Sequence, residues 1–285
     1  MKLRPFSLAL VALSATLCWS MSLMPAAALD LDSVEEEIHR LTNQLRQEKK
    51  VPPLAPLKGL YQIARKHSQA MADQGFFDHT DPQGRGPSDR LKLFLPGLLT
   101  MGSGENIAMR NQGQDDDAEV ALGLFTQWKH SPGHYANMVS ESYRHLGVGV
   151  ALKNGDVYAT QNFAKALVQL QSGPPAKVKS GPPVKMKFEF LADFPPAEVS
   201  VFVHVPDESA RFYTAGGTFY TGGGPITPVW LDKTHFEITL PTDKGLGAYT
   251  LGMGQKGSYY DTPFGFEAVA KLSWGTGCGL YAARP

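Results

Sequence analysis

Apolar residues recur at two rhythms along this chain, and the change of rhythm divides it. Val34, Ile38, Leu41 and Leu45 are spaced three or four apart, as are Leu57, Leu60, Ala64, His67 and Met71. Such spacing puts one apolar stripe on a helix. Asp32, with Glu35 three positions on, reads as the first helix start, Val51-Pro52-Pro53 as its end, and Gly75 as the residue closing the second. Ala121, Leu124, Phe125 and Trp128 predict a third helix over 118–128, and residues 78–89, rich in Gly, Pro and Asp, read as loop. Beyond His145 the period falls to two. Residues 145–152 and 156–163 alternate around Asn154-Gly155, which marks a hairpin. Helices followed by a hairpin predict an α+β region of layered helices and sheet.

The same short period returns over 187–191, 199–205, 236–240, 249–251 and 264–269, punctuated by Gly-rich turns at 222–225 and 243–245. This predicts an all-β sandwich over 185–285. Between the halves an octapeptide repeats, Ser-Gly-Pro-Pro-Ala-Lys-Val-Lys and then Ser-Gly-Pro-Pro-Val-Lys-Met-Lys, across 172–187. Its Pro-Pro pairs favour extended backbone, so 166–184 is expected to be a Pro/Gly/Lys linker at a domain boundary.

Residues 1–28 read as a secretory signal peptide: Lys2 and Arg4, an uncharged apolar run over 6–24, then Ala26 and Ala28 in an A-x-A arrangement. The first domain is expected to span 29–165. No other apolar run has the length of a membrane span, so the exported chain is expected to lack a transmembrane segment and to act in the periplasm, the envelope or the medium. The 27 basic residues balance the 27 acidic ones, which argues against a nucleic-acid partner. Of the two cysteines, Cys18 lies in the leader, so Cys278 would stand alone and no internal disulfide is expected.

Strong catalytic signatures are absent: there is no H-E-x-x-H, G-x-S-x-G, Walker A sequence or C-x-x-C. Four separated motifs remain, in order. The first is Phe77-Asp78-His79-Thr80-Asp81-Pro82, with Arg90 downstream; the second is Gly104-Glu105-Asn106-Ile107. The third is Trp128-Lys129-His130-Ser131-Pro132-Gly133-His134-Tyr135-Ala136-Asn137, and the last is Leu146-Gly147-Val148-Gly149-Val150, paired with 158–163. With Asn43 and Arg46 in the opening helix, this set resembles the CAP superfamily (cysteine-rich secretory proteins, antigen 5 and pathogenesis-related proteins, or SCP domains). The likeness covers 34–164 and is greatest to the short, cysteine-free bacterial branch. It implies an α/β/α sandwich whose cleft is lined by His79, Glu105 and His134. A fourth, acidic cleft member of other relatives would fall at Ser131. The resemblance also implies lipid or divalent-metal binding, as in other members.

Two imidazoles and a carboxylate suit Zn²⁺ or another divalent metal. They also suit proton transfer near neutral pH, or simply hydrogen bonds that tie loops to a sheet. The expected function is a secreted, non-catalytic binding protein whose cleft takes a divalent metal or a lipid. Phe94, Leu95, Leu98 and Leu99 would either form an apolar groove or pack inward. One alternative is a metal-assisted, peptidase-like hydrolase with His79, Glu105 and His134 as its catalytic residues. Another is adhesion to cell-wall glycan through the C-terminal domain, where Trp230, Tyr259, Tyr260 and Trp274 would either stack on sugars or build the core. Ser131 suits a turn better than a nucleophile. His130 and His145 are expected at the surface, His67 inside its helix stripe, and Asp115-Asp116-Asp117 at a helix N-terminus.

Overall fold

The computed structural model of the protein describes residues 28–271; residues 1–27 of the expected leader, Trp274 and Cys278 lie outside the described residues. Helix α1, Leu31–Glu48, is capped by Asp30, whose carboxylate accepts from the backbone N–H groups of Asp32 and Ser33. The cap thus sits two residues before the expected Asp32. Glu35 is buried instead and accepts from the Val150 N–H (3.0 Å) and from Arg65 Nε (2.9 Å), tying α1 to the sheet. A short strand β1, Ala55–Pro56, leads into α2, Lys58–Gln74, which ends on left-handed Gly75 as its spacing predicts. Next come α3 (Pro87–Phe94), β2 (Leu98–Asn111), α4 (Asp117–His130) and α5 (Pro132–Val139). Strands β3, His145–Lys153, and β4, Asp156–Ser172, form the expected hairpin, turning through Asn154 and Gly155, both at positive φ.

Alternation along β3 sets the layers. Leu146, Val148 and Val150 point to one face and join Ile38 of α1, Leu124 and Trp128 of α4 and Met138 of α5 in one buried cluster. Gly147 and Gly149 point to the other face, beneath α2. A β-carbon at Gly147 would lie 2.5 Å from Leu60 Cβ, and one at Gly149 would lie 2.6 Å from Arg65 Cα. The glycines let this helix rest directly on the strand backbone. The result is the expected α/β/α sandwich.

The second half is built on the first half's sheet. Strand β4 runs on to Ser172, so Leu167 and Val168 are fully buried in the second core. Chain order continues with β5 (Lys177–Lys179), β6 (Val184–Phe190), β7 (Val199–His204), β8 (Arg211–Tyr213) and β9 (Phe219–Thr221). Then come β10 (Gly223–Ile226), β11 (Val229–Trp230), β12 (His235–Leu240), β13 (Gly247–Gln255) and β14 (Ser258–Val269). One seven-stranded sheet runs β1-β3-β4-β6-β12-β11, with β2 also on β4; a second runs β10-β7-β13-β14-β5. The second core closes between them, with Phe188 of the first sheet against Phe264 of the second at 5.3 Å.

Residues 166–184 are therefore not a free spacer, contrary to the expectation from their prolines. Lys177-Val178-Lys179 alternate as a strand that buries Val178 and pairs with β14, and the second octapeptide opens β6. The turn between them is held by Thr242. Its hydroxyl accepts from Gly181 N (2.9 Å) and donates to Pro182 O (2.8 Å), while its carbonyl accepts from Ser180 Oγ (2.7 Å). An ion pair between Arg144 and Asp193 also bridges the halves. Among the described residues, no helix is long and apolar enough to cross a membrane.

Candidate functional site

The site is assembled by the loop after α2, the N-terminal end of α3, the middle of β2 and the first turn of α5. The loop is stiffened by its aspartates. Asp78 accepts from Thr80 N (2.7 Å), and buried Asp81 accepts from Gln83 N, Arg85 N and Arg85 Nε. These are the local bonds that Asp supplies in turns. Arg90 of α3 lies beneath the loop and donates from Nη1 to the carbonyls of His79 and Arg85, each at 2.8 Å. Its Nη2 donates to both oxygens of Glu105, at 2.9 and 2.7 Å.

Glu105 follows a register shift in β2 between Thr100 and Ser103, and such irregularities re-aim nearby side chains. Its carboxylate is almost fully buried and crowded with donors. Besides Arg90, it accepts from His79 Nδ1 at 3.0 Å. Asn162, with its amide nitrogen turned towards Glu105, donates to Oε2 at 3.1 Å and accepts from Ala64 N at 3.3 Å. His67 of α2 lies 3.9 Å from Oε1 and donates from Nε2 to Asp78 O at 3.1 Å.

His134 enters from α5, with its ring centroid 6.5 Å from that of His79 and the planes 50° apart. A buried amide chain fixes its backbone. Asn106 Nδ2 donates to His134 O and to Gln161 Oε1, both at 3.0 Å, and Asn137 Nδ2 donates to Asn106 Oδ1 at 2.9 Å. Gln161 Nε2 donates in turn to Thr42 Oγ1 of α1 at 2.9 Å.

The two cleft imidazoles are driven apart in basicity. The hydrogen bond to Glu105 raises the pKa of His79, whereas burial, reinforced by the charge of His79, lowers that of His134. Burial also lowers that of His67. Because His79 Nδ1–H donates to the carboxylate, its Nε2 carries the free lone pair, and the side chain is 44% exposed. A carboxylate that orients an imidazole in this way is the usual support of a metal-bound histidine.

The sequence-predicted trio is thus brought together, but its members differ in kind. His79 and His134 face the cleft, while Glu105 is engaged from several sides by Arg90, His79 and Asn162. Among the described residues, no group of three or more His, Cys, Asp or Glu side chains is arranged to hold a metal ion. The three protein ligands of a typical catalytic zinc site do not fit here; two imidazoles are what the cleft offers. Sequence reasoning missed the roles of Arg90, His67 and Asn162. Arg90 stood beside the first motif, but only folding shows what its fork grips.

Other expected positions resolve plainly. Ser131 begins α5 and makes no side-chain hydrogen bond to His134 or Glu105 among the described residues. His130 is exposed, as expected. His145 is not: it is buried at 6% exposure where β3 meets β1, because the first residue of β3 enters the sheet interior. Asp116 caps α4 by accepting from Glu119 N at 2.9 Å. Leu98 and Leu99 are buried in two separate apolar clusters, so they pack inward. Trp230 packs edge-on against Phe190 at 5.5 Å, within the second core's margin.

Comparison with known proteins agrees with this architecture. Residues 39–163 match the model of the cysteine-rich secretory protein family, CAP. An uncharacterized protein of Bacillus subtilis, YkwD, is 33% identical over 140 residues, 49% of this chain and 51% of that protein. An uncharacterized membrane protein of the same organism, YlbC, is 33% identical over 131 residues, 46% of this chain and 34% of that protein. The chain therefore spans about half or less of the curated relatives it matches. Among solved structures, an extracellular protein of Bacillus anthracis containing an SCP domain is 32% identical with a TM-score of 0.39; the match covers 47% of this chain and 40% of that one.

Proposed function

We propose, from the premise that residues 39–163 are a CAP domain of the bacterial kind, that this protein is exported and acts by binding. In this reading the cleft offers His79 Nε2 and the His134 imidazole to a divalent metal ion, and Glu105 and Arg90 hold the first imidazole in place. The carrying observation is the hydrogen bond from His79 Nδ1 to Glu105 Oε1, 3.0 Å long, which fixes the tautomer and aims the other nitrogen outward. Bound metal would supply a Lewis-acidic position for a further ligand. Export is supported by the Lys2/Arg4 start, the apolar run and the A-x-A ending of residues 1–28. No lipid groove is drawn from Leu98 and Leu99, which are used in packing.

Calorimetric titration of chelator-treated protein with Zn²⁺ tests the reading. Binding heat is expected in the wild type and not in the His79→Ala/His134→Ala double variant. Glu105→Gln should weaken binding by about 10- to 100-fold, as loss of an outer-shell carboxylate does. Equal heats in wild type and double variant would remove the metal site.

The opposed basicities of His79 and His134 favour a second reading, hydrolysis, with one imidazole as acid and the other as base. Turnover of a peptide or ester that is lost in both His79→Ala and His134→Ala would establish it over simple binding.

A further inference from the structure

The second domain carries its own unassigned surface. The face of the second sheet turned away from the core is read from residues alternating with buried Val201, Val203, Leu251 and Met253. They are Ser200, Phe202 and His204 on β7 and Thr250, Gly252 and Gly254 on β13. Register adds Asp261 opposite Gly252 and Tyr259 opposite Gly254, both on β14.

Strand β13 lies between β7 and β14, so those strands are about 10 Å apart at the usual sheet spacing. Yet the rings of Phe202 and Tyr259 lie 5.3 Å apart, at 61°. They meet because the outward positions of β13 between them, Gly252 and Gly254, carry no side chain. A β-carbon on Gly252 would stand 3.1 Å from Tyr259 Cβ; on β10, the other neighbour of β7, one on Gly223 would stand 2.8 Å from Phe202 Cε1. Tyr220 of β9 closes on Phe202 from the other side, 5.6 Å away and nearly perpendicular. Three rings thus make one continuous aromatic ridge across the sheet.

Covering glycines is one use of such rings, but it does not account for the outer surfaces. Tyr220 and Tyr259 remain 47% and 41% exposed, and neither hydroxyl makes a hydrogen bond to the described residues. The charge of the face narrows the occupant. Strands β10, β7, β13 and β14 contain no Lys or Arg. The nearby cations are otherwise engaged or distant: Lys256 of the β13–β14 turn pairs with Glu198, Arg211 of β8 lies over the Phe219 ring, and Lys177 and Lys179 of β5 sit beside Glu267–Val269, at the end of β14 away from Tyr259. A nucleic acid or anionic lipid surface would find little unpaired counter-charge at the ridge. The polar groups beside the ridge are the hydroxyls of Ser200 and Thr250, the imidazole of His204 and the carboxylate of Asp261. A neutral sugar chain matches this set, with its apolar ring faces on the aromatics and its hydroxyls on the polar rim.

We propose that this face is a glycan-binding ridge, on which Phe202, Tyr220 and Tyr259 stack the rings of a neutral polysaccharide. The site is separate from the cleft and does not depend on metal there. Sedimentation of the intact protein with microcrystalline cellulose, chitin and insoluble α-glucan tests it, with heparin-agarose and size-exclusion light scattering as controls. Retention on at least one neutral glycan is expected. It should fall at least fivefold in Tyr220→Ala/Tyr259→Ala, survive in Tyr220→Phe/Tyr259→Phe, and be unchanged in His79→Ala/His134→Ala. An unchanged melting temperature shows that the alanine variant is folded; if it is not, loss of retention in Thr250→Glu, which adds a carboxylate at an exposed outward position beside the ridge, replaces it. No retention on any neutral glycan, retention on heparin alone, or self-association abolished by the alanine variant would each overturn the proposal.

Discussion

The two halves of the molecule treat polar groups in opposite ways. The first buries charges and amides: Glu35, Arg46, His67, Arg90, Glu105, Asn106 and Gln161 all lie within it, while Thr242 is the buried polar residue of the second half among the described residues. A buried charge is tolerated only when its partners are in place. Arg46 shows the cost of the arrangement. It donates to the carbonyls of Pro52, Met138, Ser140 and Tyr143, with no carboxylate partner among the described residues, and burial depresses its pKa to about 10. Such groups fix loops in one position, which is what a cleft needs. The second half instead fills its interior with Phe188, Phe236, Phe264 and Phe266 and turns polar groups and spare aromatics outward. The first half specifies geometry from within, and the second displays a surface.

Substitutions can break that contrast. Removing one partner from the buried network should have the largest effect. Arg90→Ala leaves Glu105 without its guanidinium and should cost about 3–5 kcal/mol, the usual loss for an orphaned buried charge, read by urea denaturation. A cost below 1 kcal/mol would mean that water replaces the guanidinium and the network is not a rigid frame. In the second half, Leu167→Ala should cost about 2–5 kcal/mol through its cavity. Because Leu167 lies on the strand shared by both halves, the loss should lower one common melting transition; two separated transitions would show that the halves are energetically independent.

Acid should act mainly through the first half. Burial lowers the pKa of His39, His67, His134 and His145. The unfolded chain binds protons that these folded histidines refuse, so their contribution is complete above about pH 6.5 and shrinks as pH falls below it. His79 has the opposite sign. Its pKa is raised by Glu105, so its contribution is complete below about pH 6.5 and is lost as pH rises through the raised value. The four lowered groups should outweigh the one, and the melting temperature should fall between pH 7 and pH 5. A rise over that interval would show that His79 dominates. Smallest of all, Asp116→Ala removes the α4 cap and should cost about 1 kcal/mol, measurable by denaturation and without effect on the cleft.

Much of the first half was legible in the sequence because local rules and packing agree there. The stripes of α1 and α2, left-handed Gly75 and the Asn154-Gly155 turn all follow from spacing and backbone freedom. The pairing of His79, Glu105 and His134 came from resemblance, since residues so far apart in the chain carry no local signature. The linker reading failed for a definite reason. Proline pairs announce extended backbone, and extended backbone is equally the start of a strand; Val178 decided the matter by finding a buried place beside β14. His145 was misplaced because a single histidine says nothing about depth.

Periodicity and residue type were enough for helices α1, α2 and α4, the β3–β4 hairpin, the absence of the stronger catalytic signatures and the motif residues of the cleft, while β2, α3 and α5 left no comparable pattern. Only the tertiary structure decided that Glu105 supports His79 while Arg90 occupies its other lone pairs, that β4 belongs to both cores, and that three rings meet over glycines. Each of these depends on which distant residues share a few ångströms of space, and that is fixed by packing, not by chain order.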